Sequence, residues 1–420
     1  MAIDPQVADI ATPRTAQARL VSFHLEGLFG GADISLEFPG SGDDDGKAKI
    51  LILSGQNGSG KTTVFNMLDG MLKLDFDPFR KVPFRLCRLL LSSGDTLSVR
   101  YVGDGRCPLE VSFGDLKVRL LKEKFGSSYK DSEEAAIRKF REVAFPAMRA
   151  VEYHFLPVSR SSGQGVVEDS RERAVRPGLE VKPPPSLSEK VAKFLKVAQI
   201  DHRRFFRSEE ISLIPRLLDR MSGSIVTPSR DELLARVSSI KEKQVLMTRY
   251  GLYFDHDLLN VVEGKIQEEH DLVGNQLVLL ETYVEMQEAM QVANDMLIAR
   301  LQEFDKIMSD FLVGKAIRID AEKGLSIESH AGGALRERDL SSGEYHFLYM
   351  MVSALLCQRI GSVIAIDEPE LSLHVSWQRK LVSALARCAS GASPLFLFAT
   401  HSVAISAEHA DQVVKLSAVD

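Results

Sequence analysis

The sequence predicts an α/β fold: a mixed or parallel sheet covered by helices, a small antiparallel sheet beside it, and an inserted helical bundle or short coiled-coil arm. Three observations predict this fold. An apolar strand, a glycine-rich turn and a helix follow one another at 50–68, and a second apolar strand ends in acidic residues at 363–368. Between them, a long region at 187–312 repeats apolar residues with helical spacing. Strands that alternate with helices are typical of sheets whose faces are covered by helices.

The composition is that of an ordinary globular protein. The chain has 420 residues, a formal net charge of −6 and 45% hydrophobic residues, which does not indicate a strongly basic nucleic-acid binder. The cysteines show no C-x-x-C spacing, so neither a disulfide framework nor a zinc site is predicted; they are Cys87, Cys107, Cys357 and Cys388. No apolar run reaches the length of a signal-peptide core or a membrane span. We therefore expect a cytoplasmic protein without membrane contact.

The turn at 55–62 has the sequence GQNGSGKT, which fits the pattern G-x-x-x-x-G-K-[ST] between a buried strand and a helix. Glycines allow successive backbone N–H groups to point at a phosphate, and the helix N-terminus adds positive potential there. We expect Lys61 to reach the β- and γ-phosphates of a nucleotide and the Thr62 hydroxyl to hold Mg²⁺. The predicted phosphate contacts are Asn57, Gly58, Ser59, Gly60, Lys61, Thr62 and Thr63. A glycine-rich turn without a ligand is the disfavoured alternative, because both flanking elements are present.

The N-terminal part of the chain predicts a small antiparallel sheet beside this loop. Two alternating segments, 21–25 and 34–38, flank a glycine-containing turn at 27–31. Further strands are predicted after the loop helix, at 84–91, 96–102, 111–113 and 117–121. Residues 1–18 and 40–47 are polar or glycine-rich and are predicted to be irregular.

Between Arg80 and Arg149 the bases outnumber the acids by about six, which predicts a basic face. A docking face for nucleic acid and a solvated basic face are the two interpretations. We favour the solvated face, because no aromatic residues alternate with the bases. The same region predicts a helix at 131–142 and a buried strand at 151–156.

A linker and a helical region follow. Residues 158–186 contain glycines, arginines and three consecutive prolines, which is typical of a flexible loop or linker. The helical region at 187–312 is predicted to break near 222–229 and 251–257. Its last helix carries apolar residues three or four positions apart, from Val273 to Val284 and again from Leu297 to Phe311, as in a packed seam. The seam slips near Gln287 and Gln291, which disfavours one uninterrupted coiled coil.

The charge of the helical region favours a protein partner. From Asp231 to Asp310 there are about sixteen acids and about seven bases, a balance that disfavours contact with phosphate backbones. A bundle that only supports the rest of the domain is the alternative. We expect the arm to contact a protein in trans.

Two strands at 316–320 and 325–328 are predicted to form a hairpin before the next motif. Residues 340–344, with the sequence LSSGE, then open a predicted helix at 345–359. Small residues leave backbone N–H groups bare at a helix start, which suits an anion. An ordinary helix cap is an equally good interpretation of these residues.

The apolar strand at 363–366 ends in Asp367 and Glu368, and a parallel strand of this kind delivers carboxylates at the edge where α/β sheets bind ligands. We expect Asp367 to complete the Mg²⁺ shell and Glu368 to polarise the attacking water. A strand that ends in a solvated acidic turn is the alternative, and the phosphate loop upstream disfavours it. His401 follows another apolar strand at 395–400; such a histidine is usually structural, but beside a γ-phosphate it would sense the nucleotide.

Taken in this order, the motifs resemble those of the ABC-type ATPase heads of the SMC/RecF/OLD group. In that family 55–62 matches Walker A, 340–344 the signature motif, 363–368 Walker B, 370–374 the D-loop and His401 the switch histidine. Ser342 stands where transporter ATPases commonly have glycine, as is usual in the non-transporter branch. Gln164 is a candidate for the Q-loop glutamine. The resemblance covers 1–157 and 313–420 as the two parts of the head, with 158–186 as the linker and 187–312 as the inserted arm.

The resemblance implies an ATPase in which two chains sandwich two ATP molecules. Ser341, Ser342 and Gly343 of one chain would cap the γ-phosphate bound by Lys61 of the other. ATP would close the dimer, hydrolysis at Glu368 would reopen it, and the arm would transmit the motion. The chain is therefore expected to form a homodimer or a larger assembly of such dimers.

Two functions fit such a switch. One is a regulatory ATPase of an anti-phage system, resembling the ATPase partners in PARIS, Septu and retron modules. OLD nucleases carry a Toprim domain after the last strand of the head, where this chain ends, so a nuclease or toxin effector is expected to act in trans. The alternative is a RecF-type clamp for DNA repair or chromosome maintenance, which the basic region at 80–149 favours and the acidic arm disfavours. A transporter ATPase is disfavoured by the long insertion.

Overall fold

The computed structural model describes residues 14–15, 18–39, 48–103, 108–121, 127–157, 185–221, 228–252, 258–268 and 274–416. These residues belong to two compact units. We call one the sheet unit, which takes in Thr15–Ser162 and Ser341–Asp420, and the other the helical unit, which takes in Met1–Arg14 and Gly163–Leu340.

The described strands, in chain order, are Arg14–Thr15 (β1), Leu20–Leu28 (β2), Ala32–Glu37 (β3), Lys49–Ser54 (β4), Leu86–Leu91 (β5), Thr96–Tyr101 (β6), Leu109–Phe113 (β7), Leu116–Leu120 (β8), Tyr153–Leu156 (β9), Lys315–Asp320 (β10), Gly324–Ser329 (β11), Ala334–Leu335 (β12), Arg359–Ile360 (β13), Val363–Asp367 (β14), Leu395–Thr400 (β15) and Val413–Lys415 (β16). The described α-helices are Lys61–Leu72 (α1), Asp77–Lys81 (α2), Ser127–Arg149 (α3), Leu187–Met221 (α4), Arg230–Arg249 (α5), Leu258–Glu268 (α6), Gly274–Phe311 (α7), Ser342–Leu356 (α8), Val375–Cys388 (α9) and Val403–Ser406 (α10).

A five-stranded parallel sheet forms the centre of the sheet unit, in the spatial order β16, β4, β15, β14, β9. Every residue of β14 and β15 is buried, as expected for continuous apolar runs in the middle of a parallel sheet. The register pairs Asp367 with Ala399 and Thr400 with Ser54, so β14, β15 and β4 end at one edge of the sheet. The predicted α/β fold is confirmed.

Helix α1 covers this sheet with an apolar side that includes Val64, Phe65 and Leu68, all fully buried. The Phe65 ring meets Phe155 of β9 edge to face, with ring centroids 6.0 Å apart. Burial of a large apolar side chain stabilises a fold by about 1.5–3 kcal/mol. This packing fixes the helix that follows the glycine-rich loop against the strands that carry the acidic residues.

Helices α8 and α9 pack on each other in the same unit, and their contact includes Phe347 against Trp377. Helix α8 ends at Leu356, before the end predicted for it at Arg359. The reason is local: the backbone of Cys357 is extended, and β13 begins two residues later.

A six-stranded antiparallel sheet completes the sheet unit, in the order β3, β2, β5, β6, β7, β8. The strands predicted near the N-terminus and after the loop helix therefore all occur, and they form one sheet. Residues such as Phe23, Leu25, Leu89 and Val99 alternate into its buried face. That face shares a hydrophobic core with α1.

Two elements of the sheet unit differ from the sequence prediction. Helix α3 spans Ser127–Arg149, longer at both ends than the predicted 131–142, and it continues through Pro146. Strand β9 was expected to be buried, but it is the edge strand of the parallel sheet and only Leu156 in it is fully buried. An edge strand has a neighbour on one side, which explains its partial exposure.

The helical unit contains α4 to α7 and the three-stranded antiparallel sheet β10, β11, β12. Helices α4 and α5 both pack along α7, and α5 also contacts α6. The predicted break before α5 and the predicted hairpin at 316–328 both occur.

Polar residues explain why the apolar seam of α7 slips. Gln287, Gln291 and Asn294 are all buried, on the side of α7 that the apolar residues also use. The Gln291 amide donates to the main-chain oxygen of Ile240 at 2.7 Å, and the Asn294 amide meets His202 Nδ1 at 2.8 Å. A buried polar layer of this kind fixes the register of packed helices at some cost in stability.

Several predictions concern residues outside those the structure describes. They are the irregular segments at 1–13 and 40–47, most of the linker at 158–184, the seam residue Val273 and the Q-loop candidate Gln164. Within the described residues, none of the helices is both long enough and apolar enough to span a membrane.

Candidate nucleotide-binding site

The glycine-rich loop at 55–60 joins β4 to α1, as the motif requires. Gly60 occupies the N-cap position of α1 with φ 89°, a left-handed conformation that glycine adopts at no steric cost. No side chain caps this end of the helix. The backbone N–H groups of the first turn of α1 are therefore left for an anion.

The Lys61 side chain lies buried across the loop. Its ammonium donates to the main-chain oxygens of Gly55 at 2.7 Å and Gln56 at 3.0 Å. Among the described residues no carboxylate forms an ion pair with this ammonium within 4.0 Å. A buried cation held only by neutral carbonyls is a good partner for an anionic ligand, because the ligand would supply the missing countercharge.

Asp367 closes β14, and its side chain is only 1% exposed. Neither carboxylate oxygen has a hydrogen-bond partner of ordinary geometry within the described residues, although the Thr62 hydroxyl lies close enough to lower the pKa. Burial dominates, with a smaller contribution from Glu368, and together they raise the pKa of Asp367 from 3.8 to about 6. Asp367 therefore faces Thr62, with Lys61 nearby, as a buried carboxylate in need of a cation.

These residues fit a magnesium ion. Mg²⁺ prefers hard oxygen ligands and keeps several waters, so protein sites usually supply only one or two side chains besides the phosphates of a nucleotide. The Thr62 hydroxyl and the two orphaned oxygens of Asp367 supply such ligands. No cluster of three His, Cys, Asp or Glu side chains that would hold a metal ion alone is found in the described part of the chain.

Glu368 follows Asp367 with φ 47°, a left-handed conformation that is rare for residues other than glycine. Its N–H donates to Ala399 O at 2.8 Å, so the sheet hydrogen-bonding continues one residue past β14. Such strain persists only where the surrounding structure imposes it, and it is concentrated at functional sites. The turn places Glu368 directly beyond the edge of the parallel sheet.

His401 follows β15, which lies between β4 and β14. Its N–H donates to Glu370 Oε1 at 2.8 Å, and its ring Nδ1 lies 2.8 Å from the same oxygen. The glycine-rich loop, the acidic residues after β14 and His401 thus follow three adjacent parallel strands. The carboxyl ends of such strands are where α/β sheets bind ligands.

Within this chain, the residues of the predicted signature motif make their contacts away from the loop at 55–62. Ser341 is the N-cap of α8: its hydroxyl accepts from the Glu344 N–H at 3.3 Å, and its own N–H donates to Glu344 Oε2 at 2.8 Å. Ser342 is exposed, and Gly343 is buried so close to the backbone of Ser372 that a Cβ would lie 2.3 Å from its oxygen. None of the three hydrogen-bonds to the loop at 55–62, and the helix-cap interpretation describes Ser341 correctly.

Two residues near the loop have contacts that the sequence did not predict. Phe29 is 41% exposed at the turn between β2 and β3, and its ring packs against Gly60. Glu370 is buried and holds His401. The acid two positions after Glu368 was visible in the sequence, but its partner is thirty-one residues away and only the fold brings them together.

Solved structures of Smc head domains are similar to this chain at low identity. The head with an extended coiled coil from Pyrococcus furiosus, bound to the C-terminal domain of ScpA, is 14% identical with a TM-score of 0.44, covering 96% of this chain and 94% of that one. The head with a coiled coil and joint from Pyrococcus yayanosii is 12% identical (TM-score 0.41, 96% of each chain). The head from Thermotoga maritima is 10% identical (TM-score 0.38, 96% of each chain). Scores this low support no conclusion about this chain.

No curated protein matches the sequence. A protein-family model does: the family described as "AAA domain, putative AbiEii toxin, Type IV TA system" matches residues 50–407. The matched region begins in β4, before the glycine-rich loop, and extends beyond His401, so it contains the loop, Asp367, Glu368, Glu370 and His401. Because the match covers most of its length, the chain belongs to this family of AAA-domain proteins.

Proposed function

We propose that the protein binds ATP with Mg²⁺ at this edge of the sheet and hydrolyses it to ADP and phosphate. The observation that carries the proposal is the buried carboxylate of Asp367, which has no hydrogen-bond partner on either oxygen and faces Thr62 beside the Lys61 ammonium. Folding alone gives no reason to bury a carboxylate without a partner, since each such group costs several kcal/mol. A cation and a polyphosphate would satisfy all three side chains together.

Each residue would have a separate task in binding. The N–H groups of the loop from Asn57 to Thr63 would surround the phosphates, and Lys61 would leave its carbonyl partners for the β- and γ-phosphates. Thr62 and Asp367 would hold the metal, which when bound neutralises part of the charge on the phosphates. The exposed ring of Phe29 beside Gly60 offers a flat apolar surface to the base.

Hydrolysis requires a water molecule aimed at the γ-phosphorus. Glu368 would orient this water and take its proton as the oxygen bonds to phosphorus and the bond to the β–γ bridging oxygen breaks. His401 would contact the γ-phosphate and so distinguish ATP from ADP. The position of Glu368 and His401 beyond adjacent strands supports these roles.

A homodimer is the second part of the proposal. Ser342 is exposed at the start of α8, and the signature residues Ser341, Ser342 and Gly343 have no hydrogen bond to the loop of their own chain. We infer that they cap the γ-phosphate bound by Lys61 of a second copy, which makes ATP the bridge of a homodimer. The division into a head at 1–157 and 313–420 and an arm at 187–312 is part of this proposal.

The partner of this switch is proposed to be an effector, a nuclease or toxin of an anti-phage system in the cytosol. The family description includes the words "putative AbiEii toxin, Type IV TA system", which supports an association of this family with toxin–antitoxin systems. The structure supports a docking surface on α4. Its outer face exposes large apolar residues at steps of three and four, with exposures between 51% and 71%: Ile211, Ile214, Leu218 and Met221.

The opposite side of α4 is already used. Phe205, Phe206 and Leu213 pack against the hydrophobic core of the helical unit, so this part of the helix is apolar on two sides. A helix that is apolar on two opposite sides is usually buried on both of those sides. The spacing of the exposed residues fits a helical segment of the effector packed as in a coiled coil. Ile211→Asp with Ile214→Asp should release the effector from the native complex in native mass spectrometry and leave basal ATPase unchanged; an unaltered complex would refute this surface.

One observation favours the alternative, a RecF-type clamp that binds DNA. On the open face of the antiparallel sheet, the register aligns Arg88, Ser98, Ser112 and Lys117 in one row across four strands. Arg88 and Lys117 are exposed at its two ends, and the serine hydroxyls are 2.7 Å apart. Basic and hydroxyl groups in a row suit a phosphate backbone. Stimulation of the ATPase by DNA, lost on Arg88→Glu with Lys117→Glu, would favour this alternative.

The ATPase proposal is tested with Glu368→Gln. The amide keeps the volume of the side chain but does not accept a proton, so this variant should bind ATP, hydrolyse it slowly and accumulate as a dimer. Turnover and mass are measured by phosphate release and light scattering after size exclusion. Glu328→Gln, at an exposed ion pair with Arg318, is the matched control and should behave as the wild type. Wild-type turnover in Glu368→Gln would remove the residue from this role.

A further inference from the structure

Glu370 combines deep burial with contacts to a distant part of the chain. It lies in the turn after β14 and is only 6% exposed. A single carboxylate oxygen, Oε1, accepts from the His401 N–H at 2.8 Å and lies 2.8 Å from His401 Nδ1. Main chain and side chain of the same histidine are thus held by one carboxylate.

The chemistry of this contact fixes the histidine ring. An ionised carboxylate only accepts hydrogen bonds, so Nδ1 carries the proton in the contact and Nε2 is directed away from Glu370. The His401 side chain is 47% exposed, which leaves Nε2 on the accessible side of the ring. A histidine that must present one chosen nitrogen to a ligand needs a partner of this type.

Further hydrogen bonds hold the turn and the histidine together. Gln378 of α9 donates from its amide to Leu373 O at 2.9 Å, and its amide oxygen accepts from the Ser402 hydroxyl at 2.7 Å. The Ser402 N–H in turn donates to the Thr400 hydroxyl at 2.9 Å. Ser402, directly after His401, is therefore tied through Gln378 to the turn after β14.

The arrangement is costly for a purely structural contact. The second carboxylate oxygen of Glu370 is buried and has no hydrogen-bond partner. The charge of Glu370 also raises the pKa of Asp367, so the two carboxylates repel each other. A neutral glutamine would tie the turn to the His401 N–H without this repulsion, since its amide oxygen also accepts.

We propose that Glu370 is a positioning residue that fixes the His401 ring, with Nδ1 as the donor, so that Nε2 meets the γ-phosphate. This inference rests on the proposed ATPase function. In this proposal Glu370 acts only through His401.

The test compares Glu370→Gln, His401→Ala and the double variant. The glutamine amide both donates and accepts, so it no longer dictates which ring nitrogen carries the proton. We expect kcat to fall roughly 10- to 100-fold in Glu370→Gln, as for other residues that orient a ligand, while the affinity for ATP stays within about twofold. In the His401→Ala background the second change should have no further effect on kcat.

A spectroscopic signature separates positioning from a structural role. In protein labelled with ¹⁵N-histidine and free of nucleotide, the His401 resonance is assigned by its loss in His401→Ala. We expect a single tautomer protonated at Nδ1 in the wild type and a mixture in Glu370→Gln. Glu37→Gln, at the exposed pair with His24, is the matched control and should change neither turnover nor the His401 signal.

Three results would overturn the inference. Additive losses in the double variant, or a changed tautomer with unchanged kcat, would leave the ATPase proposal intact and make Glu370 a structural residue. An Nδ1 without a proton in the wild type would contradict the assigned contact. Absence of turnover in the wild-type protein would instead overturn the proposed function itself, together with the catalytic part of this inference.

Discussion

In the helical unit the buried amides of Gln291 and Asn294 both have hydrogen-bond partners, whereas in the sheet unit the buried carboxylate of Asp367 has none on either oxygen. Among the described residues, Asp367 is the only side chain with two buried oxygens in this state. Both units are well packed, so loose folding does not explain the difference. Single buried oxygens without a hydrogen bond occur in both units, at Asp305 and at Glu370, whereas a carboxylate that lacks one on both oxygens marks a place where a ligand completes the structure.

The two units also differ in whether their charged side chains are paired with opposite charges. In the helical unit, bases of α4 and α5 pair with acids of α7, as in Arg236 with Glu288 and Lys243 with Asp295. The acidic excess of this region is therefore partly neutralised inside the unit, which weakens charge as an argument for a protein partner. In the sheet unit Glu368 and Glu370 both lie close enough to Asp367 to raise its pKa.

Lys61→Ala should have the largest effect, on nucleotide binding. Charge-assisted hydrogen bonds contribute about 1.5–3 kcal/mol each, so loss of the ammonium should weaken ATP affinity on the order of 100-fold. Binding is measured by titration calorimetry. Lys73→Ala removes a lysine at the opposite, C-terminal end of the same helix, where it pairs with Asp69, and should bind as the wild type. Tight binding by Lys61→Ala would refute the loop assignment.

Asp367→Asn should stabilise the protein in the absence of metal and nucleotide. Because the folded-state pKa is raised from 3.8 to about 6, the folded protein binds the proton more tightly, and stability falls as pH rises through that window. The loss is complete above about pH 6 and amounts to roughly 3 kcal/mol as an upper bound. Urea unfolding should therefore show a larger gain for Asp367→Asn at pH 8 than at pH 5.

Asp367→Asn should also lose the stabilisation of the folded protein by Mg²⁺. Magnesium with ATP should raise the stability of the wild type at pH 8 and leave Asp367→Asn nearly unchanged, since the metal has lost its carboxylate. A variant that is less stable than the wild type at pH 8 without metal would show that Asp367 has a partner in the fold, and the contrast between the two units would fail.

Asn294→Ala should destabilise the helical unit without affecting the site. The substitution removes the hydrogen bond with His202 and leaves buried polar groups poorly satisfied, at a cost of about 1–3 kcal/mol. Urea unfolding measures the loss and calorimetry should show unchanged ATP affinity. Asn260→Ala, at an exposed position of α6, should cost much less. Equal losses for the two variants would mean that the buried polar layer contributes nothing.

The smallest effect is expected for the surface pair of Arg236 with Glu288. Both side chains are partly exposed, so a double-mutant cycle with Arg236→Gln and Glu288→Gln should give a coupling of less than about 1 kcal/mol, weaker at high salt. A larger coupling, independent of salt, would show that this pair is as buried as the polar layer below it.

The sequence predicts the fold well where the local pattern alone decides it. The run Val363–Ile366 can only be a buried strand, and the loop at 55–62 has few other uses, so the fold class and the positions of Lys61 and Asp367 follow directly. The local pattern does not predict the position or burial of a residue that depends on neighbours distant in the sequence. The edge position of β9 depends on which strand pairs with β14, and the burial of Gln287 and Gln291 depends on partners in other helices.

The candidate site shows the same limit. Sequence spacing indicated that Thr62 and Asp367 would meet, and the structure brings them together. The sequence placed Glu370 in the D-loop match but did not predict its contact with His401, because a carboxylate in a turn has no periodicity to mark it as buried. The contact with His401 depends on the neighbouring positions of β14 and β15 in the sheet, which a single sequence does not encode in any short motif.

The most direct test is a crystal structure with Mn²⁺ and a non-hydrolysable ATP analogue, in which anomalous scattering locates the ion. We predict one anomalous peak between the Thr62 hydroxyl and the Asp367 carboxylate, beside the β- and γ-phosphates, with Lys61 turned from Gly55 toward the nucleotide. A nucleotide or ion bound elsewhere, with Asp367 still buried and without a cation, would contradict the account.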